Sequence, residues 1–134
     1  MITKALKVGM AIIISAFLET GCLSFGFTLK TSGNFNGTYL SIEGTYTGPL
    51  FFHFVQEDEA IEVDGKITVN TEVIEFTGSG TLTRDPRELD LNVTGTGFTM
   101  HIWGKVVNSH LEGSYTFSSS KWGSDTGSVE LSQS

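Results

Sequence analysis

The stretch IEVDGKITV, residues 61–69, alternates apolar and polar side chains, with Gly65 as its one interruption. A period of two residues is the mark of a β-strand that has one buried and one solvated face. The same period continues in LDLNVT, residues 89–94, and in SVEL, residues 128–131. After residue 22 no segment combines a helical period with a cap, while β-branched and aromatic residues recur between turn-forming ones. The sequence therefore predicts an all-β domain.

Turn-forming residues divide the chain into eight strand-like runs. Short connections force successive strands to run antiparallel, and eight antiparallel strands can close into a barrel that leaves no exposed edge. We therefore predict an eight-stranded antiparallel up-and-down barrel over residues 37–134, with a two-sheet β-sandwich as the alternative. The predicted strands are Gly37–Glu43, Leu50–Gln56, Ile61–Val69, Val73–Leu82, Leu89–Gly95, Phe98–Val107, Leu111–Phe117 and Thr126–Leu131.

A short unit recurs along these runs: a glycine, then a small or polar residue, then an apolar or aromatic one. Gly37-Thr38-Tyr39 and Gly113-Ser114-Tyr115 are examples. Glycine inside a strand admits the bend that a small barrel requires, so we assign the unit a structural role and no ligand. With this unit, the meander length and the closing strand Gly127–Leu131, the chain resembles small lipocalin-like or avidin-like exported barrels. The resemblance implies a shape and no particular substrate.

The N-terminus differs from the rest of the chain. Lys4 and Lys7 precede the apolar run Val8–Leu18. This run is shorter than the 20 or so apolar residues of a membrane-spanning helix but has the length of a signal-peptide core, about 7–15 residues. We therefore predict that residues 1–21 are a signal peptide and that the protein is exported.

Gly21-Cys22 directly follows this segment and resembles a bacterial lipoprotein signal, in which the cysteine becomes the lipidated first residue of the mature chain. Glu19 departs from the pattern, because that family usually has an aliphatic residue there. The resemblance implies a lipid on Cys22, the one cysteine of the chain, and a membrane-anchored protein of the cell envelope. Ordinary cleavage would instead leave a soluble secreted or periplasmic protein, with or without Cys22. Residues 22–36 are predicted to be a tether.

The charge of the chain excludes two classes of partner. Its net charge is −7, and loss of residues 1–21 would make it one unit more acidic. Nucleic acids and anionic lipid surfaces need clustered Lys and Arg, so neither is expected to bind the domain. Five of the acidic residues form a cluster whose spacing does not follow the EF-hand pattern, and we predict a solvated turn there, with no metal and no cofactor. They are Glu57, Asp58, Glu59, Glu62 and Asp64.

The residues that most often carry catalysis lie in no recognisable frame. The sequence has no Gly-x-Ser-x-Gly elbow, no His-Glu-x-x-His and no phosphate-binding glycine loop. Its histidines are His53, His101 and His110, and the first two share the outward parity of Phe51 and Trp103. We interpret His53 and His101 as surface histidines. We also predict that the protein is not an enzyme.

Alternation also assigns the faces of the strands. The inward set is apolar enough to fill the barrel, and we predict a packed core, with a pocket for an apolar ligand as the alternative. The residues predicted to point inward are Leu40, Ile42, Phe52, Phe54, Val63, Ile67, Ile74, Phe76, Leu91, Val93, Met100, Ile102, Val106, Leu111, Tyr115, Phe117, Val129 and Leu131.

Four aromatic residues are predicted to lie outside the barrel: Tyr39, Phe51, Trp103 and Trp122. Exposed aromatic side chains are frequent anchors at binding surfaces, provided that they form a contiguous patch. We therefore predict a non-enzymatic binding module that contacts a protein or another partner through Phe51, Trp103 and Trp122. The alternative is a lipocalin-like carrier that holds a small apolar ligand inside the barrel.

Overall fold

The computed structural model describes residues 30–134, which form eight β-strands. The predicted signal peptide, Cys22 and most of the predicted tether lie outside the described residues. Among the residues that are described there is no helix long and apolar enough to cross a membrane. The strands are β1 (Lys30–Ser41), β2 (Thr47–Glu57), β3 (Ala60–Val69), β4 (Glu72–Leu82), β5 (Glu88–Gly95), β6 (Phe98–Val107), β7 (His110–Ser119) and β8 (Gly123–Gln133).

Each strand pairs antiparallel with the next, and β8 pairs with β1, so the sheet is a closed barrel. A row of paired residues followed once around the barrel from Thr31 returns to Ser41, ten residues further along β1. For eight strands this offset corresponds to a strand tilt of about 40°. The predicted up-and-down barrel is confirmed, because the β1–β8 pairing closes the sheet that a sandwich would leave open.

The barrel interior is filled by apolar side chains. The rings of Phe35 and Phe52 and the side chains of Leu91 and Ile102 have no accessible surface at all. A water-sized space beside them would leave part of their surface accessible, so the interior packs as a solid core. All residues predicted to point inward are buried except Leu40 and Ile42.

The sequence analysis predicted wrongly which side chains of the first strand point into the barrel. Leu40 and Ile42 are 51% and 78% exposed, whereas Tyr39, predicted to lie outside, is 1% exposed. The Tyr39 ring meets the Tyr115 ring edge-on at 5.5 Å, and its hydroxyl donates a hydrogen bond to the Thr68 carbonyl at 2.6 Å. The inward position suits the tyrosine because the core buries its larger apolar area and also satisfies its hydroxyl.

The first strand also starts earlier than predicted. It begins at Lys30, within the stretch interpreted as a tether, and pairs with β2 from its first residue. Phe35 explains the extension, because its ring packs against those of Phe52 and Phe54, with centroids 5.3 and 5.5 Å away. A single buried aromatic ring therefore orders a segment that is otherwise rich in Gly, Ser and Asn.

Several glycines lie where an added side chain would overlap the backbone of a neighbouring strand. A Cβ added to Gly80 would overlap the backbone carbonyl oxygen of Asp90, and one added to Gly65 would overlap that of Phe51. Both positions point inward, so a side chain there would push the neighbouring strand away. The recurring glycine unit of the sequence thus serves the curvature of the barrel.

The acidic cluster forms the β2–β3 turn and the first part of β3. Asp58 lies 3.2 Å from the Arg84 guanidinium, and a Glu59 carboxylate oxygen accepts a hydrogen bond from the Arg84 amide at 3.1 Å. Glu57 lies 3.9 Å from the Lys30 ammonium. The turn is therefore joined to the β4–β5 connection and to the start of β1 by exposed ion pairs.

Candidate functional site

The three aromatic residues predicted to form a binding surface lie in different parts of the barrel. Phe51 is on β2 and Trp103 is on β6, four strands away in either direction around the closed sheet. Trp122 is in the β7–β8 turn. The structure therefore does not join these residues into one contiguous patch, and each has to be considered separately.

Trp122 covers one end of the barrel. Its half-buried ring packs against the core together with Tyr46. The Trp122 amide donates to the hydroxyl oxygen of Ser119 at 3.2 Å, and the Lys121 ammonium lies 5.3 Å from the ring centroid. Trp122, predicted to lie outside the barrel, is thus only partly exposed, because its ring packs against the core and the buried Ser119 hydroxyl accepts from the turn.

Phe51 points outward, as predicted, but it is half-buried among neighbouring side chains. Lys66 lies directly across from it on β3, and Asn36 lies across from it on β1. Together with Pro49 and Val73 they line a shallow depression of about 450 Å³. Phe51 and Lys66 also line a second depression, of about 590 Å³.

Trp103 is an outward aromatic residue that stacks on a neighbouring side chain. Its ring, in a residue 37% exposed, stacks on the His101 imidazole with centroids 4.6 Å apart and an interplanar angle of 27°. Nε2 of His101 lies 2.9 Å from a carboxylate oxygen of Asp90 on the neighbouring strand. Asp90 thus orients the imidazole, and the imidazole supports the indole. A ring that is already ordered loses little conformational entropy when a ligand binds.

A trough runs along the outer face beside this stack. Going from β6 across β7 and β8, the register places Thr116 and then Thr126 next to His101, and Ser114 and then Ser128 next to Trp103. The floor is therefore built of small hydroxyl side chains. We call this feature the outer trough.

The far wall of the outer trough comes from the first strand. Leu40 lies directly across from Ser128 on β8, and the Ile42 amide donates to the Thr126 carbonyl at 3.0 Å. Both aliphatic side chains are exposed, so they rise above the hydroxyl floor opposite the Trp103–His101 stack. The part of the trough next to His101 is a cavity of about 750 Å³ that Glu43, Asn92 and Asp125 also line.

The buried phenols below the trough keep their protons over a wide pH range. Burial raises the pKa of Tyr39 to about 12. Burial also raises the pKa of Tyr115, and a 2.6 Å hydrogen bond from its hydroxyl to Asp125 adds to the rise. Both tyrosines are therefore neutral donors at ordinary pH, and the Tyr115 hydroxyl fixes the orientation of the Asp125 carboxylate.

The other two histidines lie on separate parts of the outer face. His53 Nδ1 is 3.6 Å from an Asp64 carboxylate oxygen, and His110 Nε2 is 3.7 Å from one of Glu112. All three histidines are partly exposed and each has a carboxylate neighbour, so the interpretation of His53 and His101 as surface residues agrees with the structure.

The outer trough itself was missed by sequence reasoning. Its signal is visible in the alternating hydroxyl residues of residues 114–118 and 124–128, which share one face. The far wall could not be found, because the predicted facing of the first strand put Leu40 and Ile42 inside the barrel. Without that wall, the hydroxyl residues looked like an ordinary solvated face.

A comparison with models of known protein families finds no match, and searches among curated proteins and solved structures likewise find none.

Proposed function

We propose that this protein is a non-enzymatic binding module whose ligand docks on the outer face of the barrel, with Trp103 as the principal anchor. The observation that carries the proposal is the stack of Trp103 on His101, because the His101 imidazole is hydrogen-bonded to Asp90 and lines a cavity of about 750 Å³. Aromatic residues held in place next to a concave surface are typical of binding hot spots. The ligand therefore meets a rigid ring on a rigid sheet.

The packing of the interior supports the outer face as the place of binding. A carrier of a small apolar molecule needs space among its inward side chains, yet Phe52, Leu91 and Ile102 have no accessible surface. A ligand could enter only if several of these side chains moved, at the free-energy cost of opening a packed core. Phe51 is on β2, across from Asn36 on β1, and lines other depressions than this cavity, so it would contact a separate partner.

We further propose that the barrel is exported and is held at the cell envelope by a lipid on Cys22. The support is in the sequence: a basic start, a short apolar run and a single cysteine after it. Intact mass spectrometry of the protein recovered from cells tests this, with a chain that begins at Cys22 and carries acyl mass as the expected result. Recovery of the unprocessed Met1 chain would refute export, whereas a processed chain without acyl mass would refute only lipidation.

Binding at the outer face is tested by NMR with a library of small polar and aromatic fragments, because no ligand has to be assumed. The chain has two tryptophans and therefore two indole N–H signals. We expect fragments to shift the Trp103 signal and the amides of β6–β8, and Trp103→Ala to remove these shifts. Val73→Ala is the matched control, because Val73 is an exposed apolar residue on β4, outside the trough.

A different result of the same screen would favour binding inside the barrel. Fragment shifts that concentrate on inward residues, combined with uptake of the apolar dye Nile red that Phe54→Ala abolishes, would favour the carrier. In that case the outer-face proposal would have to be abandoned.

A further inference from the structure

We infer that Trp103 and the carboxylates beside it bind the guanidinium group of an arginine side chain on a partner polypeptide. This inference rests on the proposed function, because it names the chemical group that Trp103 contacts. The contact takes place in a depression of about 410 Å³ on the outer face of β4, β5 and β6, which we call the Trp103 depression. Its lining includes Thr81, Thr83, Glu88, Asp90, Trp103 and Lys105.

The Trp103 ring offers a surface on which a flat cation can stack. His101 covers one side of the ring, with centroids 4.6 Å apart, but His101 does not line the Trp103 depression. The part of the ring that faces the depression is therefore free of the imidazole. The electron-rich face of an indole attracts cations, and a guanidinium group is planar and can lie against it.

The second tryptophan already makes this kind of contact within the protein. The Lys121 ammonium lies 5.3 Å from the centroid of the Trp122 ring. Among residues 30–134, no ammonium or guanidinium group lies over the Trp103 ring in this way. The position over Trp103 is thus open to a cation that a partner supplies.

Two carboxylates next to Trp103 can accept hydrogen bonds from the guanidinium group. One oxygen of Asp90 lies 2.9 Å from Nε2 of His101, which leaves the other oxygen for a ligand. Glu88 lies directly across from Lys105, yet within the described part of the chain its carboxylate forms no ion pair. The N–H groups of a guanidinium form a rigid fork that fits carboxylate oxygens, whereas an ammonium acts as a point charge.

The charge of the site and of the chain favours a cationic partner. The Trp103 depression holds two carboxylates and one ammonium, that of Lys105. Glu112 lies across from Lys105 on β7, and the net charge of the whole chain is −7. Basic partners are therefore attracted and polyanions are repelled. No group of three or more His, Cys, Asp or Glu side chains among the described residues could hold a metal ion, so the site fits an organic cation better.

A partner polypeptide can supply the contacts that a single arginine lacks. One exposed ion pair stabilises a complex only slightly, so a small guanidinium compound alone should bind weakly. Ser114 and then Ser128 lie next to Trp103 on β7 and β8, and the exposed Leu40 lies beyond them on β1. The residues on either side of the arginine can contact this part of the outer trough.

The inference is tested by NMR titration of the 134-residue chain with a nonapeptide of alternating glycine and serine that has one arginine at its centre. We expect saturable shifts of the Trp103 indole N–H signal and of the Glu88 and Asp90 amides. The same peptide with citrulline, which keeps the shape of arginine without its charge, should bind at least about tenfold more weakly. The peptide with lysine should bind at least about threefold more weakly, because it lacks the planar fork. Agmatine, a small guanidinium compound, should also bind at least about threefold more weakly than the arginine peptide.

Charge variants of the protein should change the affinity in opposite directions. Glu88→Gln should weaken binding of the arginine peptide about twofold to fivefold, whereas Lys105→Gln should strengthen it about twofold, because an attraction is removed in the first and a repulsion in the second. Trp103→Ala should weaken binding at least about threefold. Glu75→Gln is the matched control and should leave the affinity unaltered, because Glu75 is an exposed glutamate of β4 about 20 Å along the strand from Thr81. Circular dichroism checks that each variant remains folded.

The inference would be overturned if the arginine peptide does not bind, or if the citrulline peptide, the lysine peptide or agmatine binds as tightly. It would also be overturned if Lys105→Gln weakens binding, or if both Trp103→Ala and Glu88→Gln leave binding unchanged. The proposed function would survive these results if fragments of the library still shift the Trp103 indole signal. It would fail independently if no fragment reaches Trp103, so the two failures can be told apart.

Discussion

Raising the pH from 10 to 12 should destabilise the barrel through its buried tyrosines. In the unfolded chain the Tyr39 phenol has the ordinary pKa of 10, and in the folded protein this pKa is raised to about 12. The unfolded state therefore releases its proton first. The stabilisation is complete below pH 10 and is lost as the pH rises through this window.

The size of the effect follows from the shift. Each pH unit between the two pKa values lowers the free energy of unfolding by about 1.4 kcal/mol, so Tyr39 accounts for about 3 kcal/mol by pH 12. Tyr115 acts in the same direction, because its pKa is also raised in the folded state. The loss is a large fraction of the 5–15 kcal/mol that typically stabilises a domain.

Urea unfolding between pH 8 and pH 12, followed by circular dichroism, measures this dependence in the parent protein and in Tyr39→Phe. At neutral pH the variant should be less stable by about 1–3 kcal/mol, because the Thr68 carbonyl loses its donor. At high pH the difference should shrink or reverse, because phenylalanine does not ionise. Tyr46→Phe is the control: it leaves both core phenols in place and should keep the alkaline loss of the parent. A parent whose stability is flat from pH 10 to 12, or a Tyr39→Phe variant that loses stability as steeply, would refute the reasoning.

Further predictions concern the core, the first strand and the acidic cluster. Gly80→Ala should lower the free energy of unfolding, measured in urea, by about 1–3 kcal/mol, because the added Cβ would overlap the Asp90 carbonyl. Ser79→Ala, on the solvated face, should lower it little. Equal losses in the two variants would contradict the role given to the glycine. Leu40→Ala should change stability by less than about 0.5 kcal/mol, whereas Leu91→Ala should cost about 2–5 kcal/mol; a large loss in the first would show that Leu40 faces the core after all. EDTA should leave the β-sheet circular dichroism unchanged, and unfolding by the chelator would instead identify a structural metal.

Most of the fold could be predicted because apolar and polar residues alternate along most of the strands. In β3 the pattern from Ile61 to Val69 leaves only one way to bury the apolar residues, and the structure follows it. In β1 the adjacent residues Tyr39 and Leu40 are both apolar, so neither parity is excluded. The closed barrel decides between them by pairing Tyr39 with Val129, an inward residue at the other end of the chain. Such a distant register is not contained in the local pattern.

In the candidate site, too, local alternation predicted some features, whereas others depend on the pairing of distant strands. The outward position of Trp103 followed from the alternation of β6, but its support did not. His101 lies directly across from Asn92, and its carboxylate partner Asp90 comes two residues earlier on β5. That diagonal contact depends on the register of two strands. The far wall of the trough depends on the closure of the whole barrel, because Leu40 lies next to Ser128 only when β1 pairs with β8.

Closure of the sheet also limits which parts of the barrel could contact a ligand. Within residues 30–134 every strand is paired on both sides over most of its length, so little backbone edge is offered to a partner. The inward side chains, Phe35 and Phe52 among them, are committed to the core. If the barrel is a binding module, as proposed, we expect its affinity to come from outward side chains on the strands, and its specificity from the residues that the register makes neighbours. Trp103 is exposed and yet fixed by its stack on His101, and it lies beside hydroxyl groups on β7 and β8. We therefore expect an aromatic ring supported by a neighbouring side chain, next to a hydrogen-bonding floor, to be the means by which a barrel with a filled interior and little free strand edge could bind selectively.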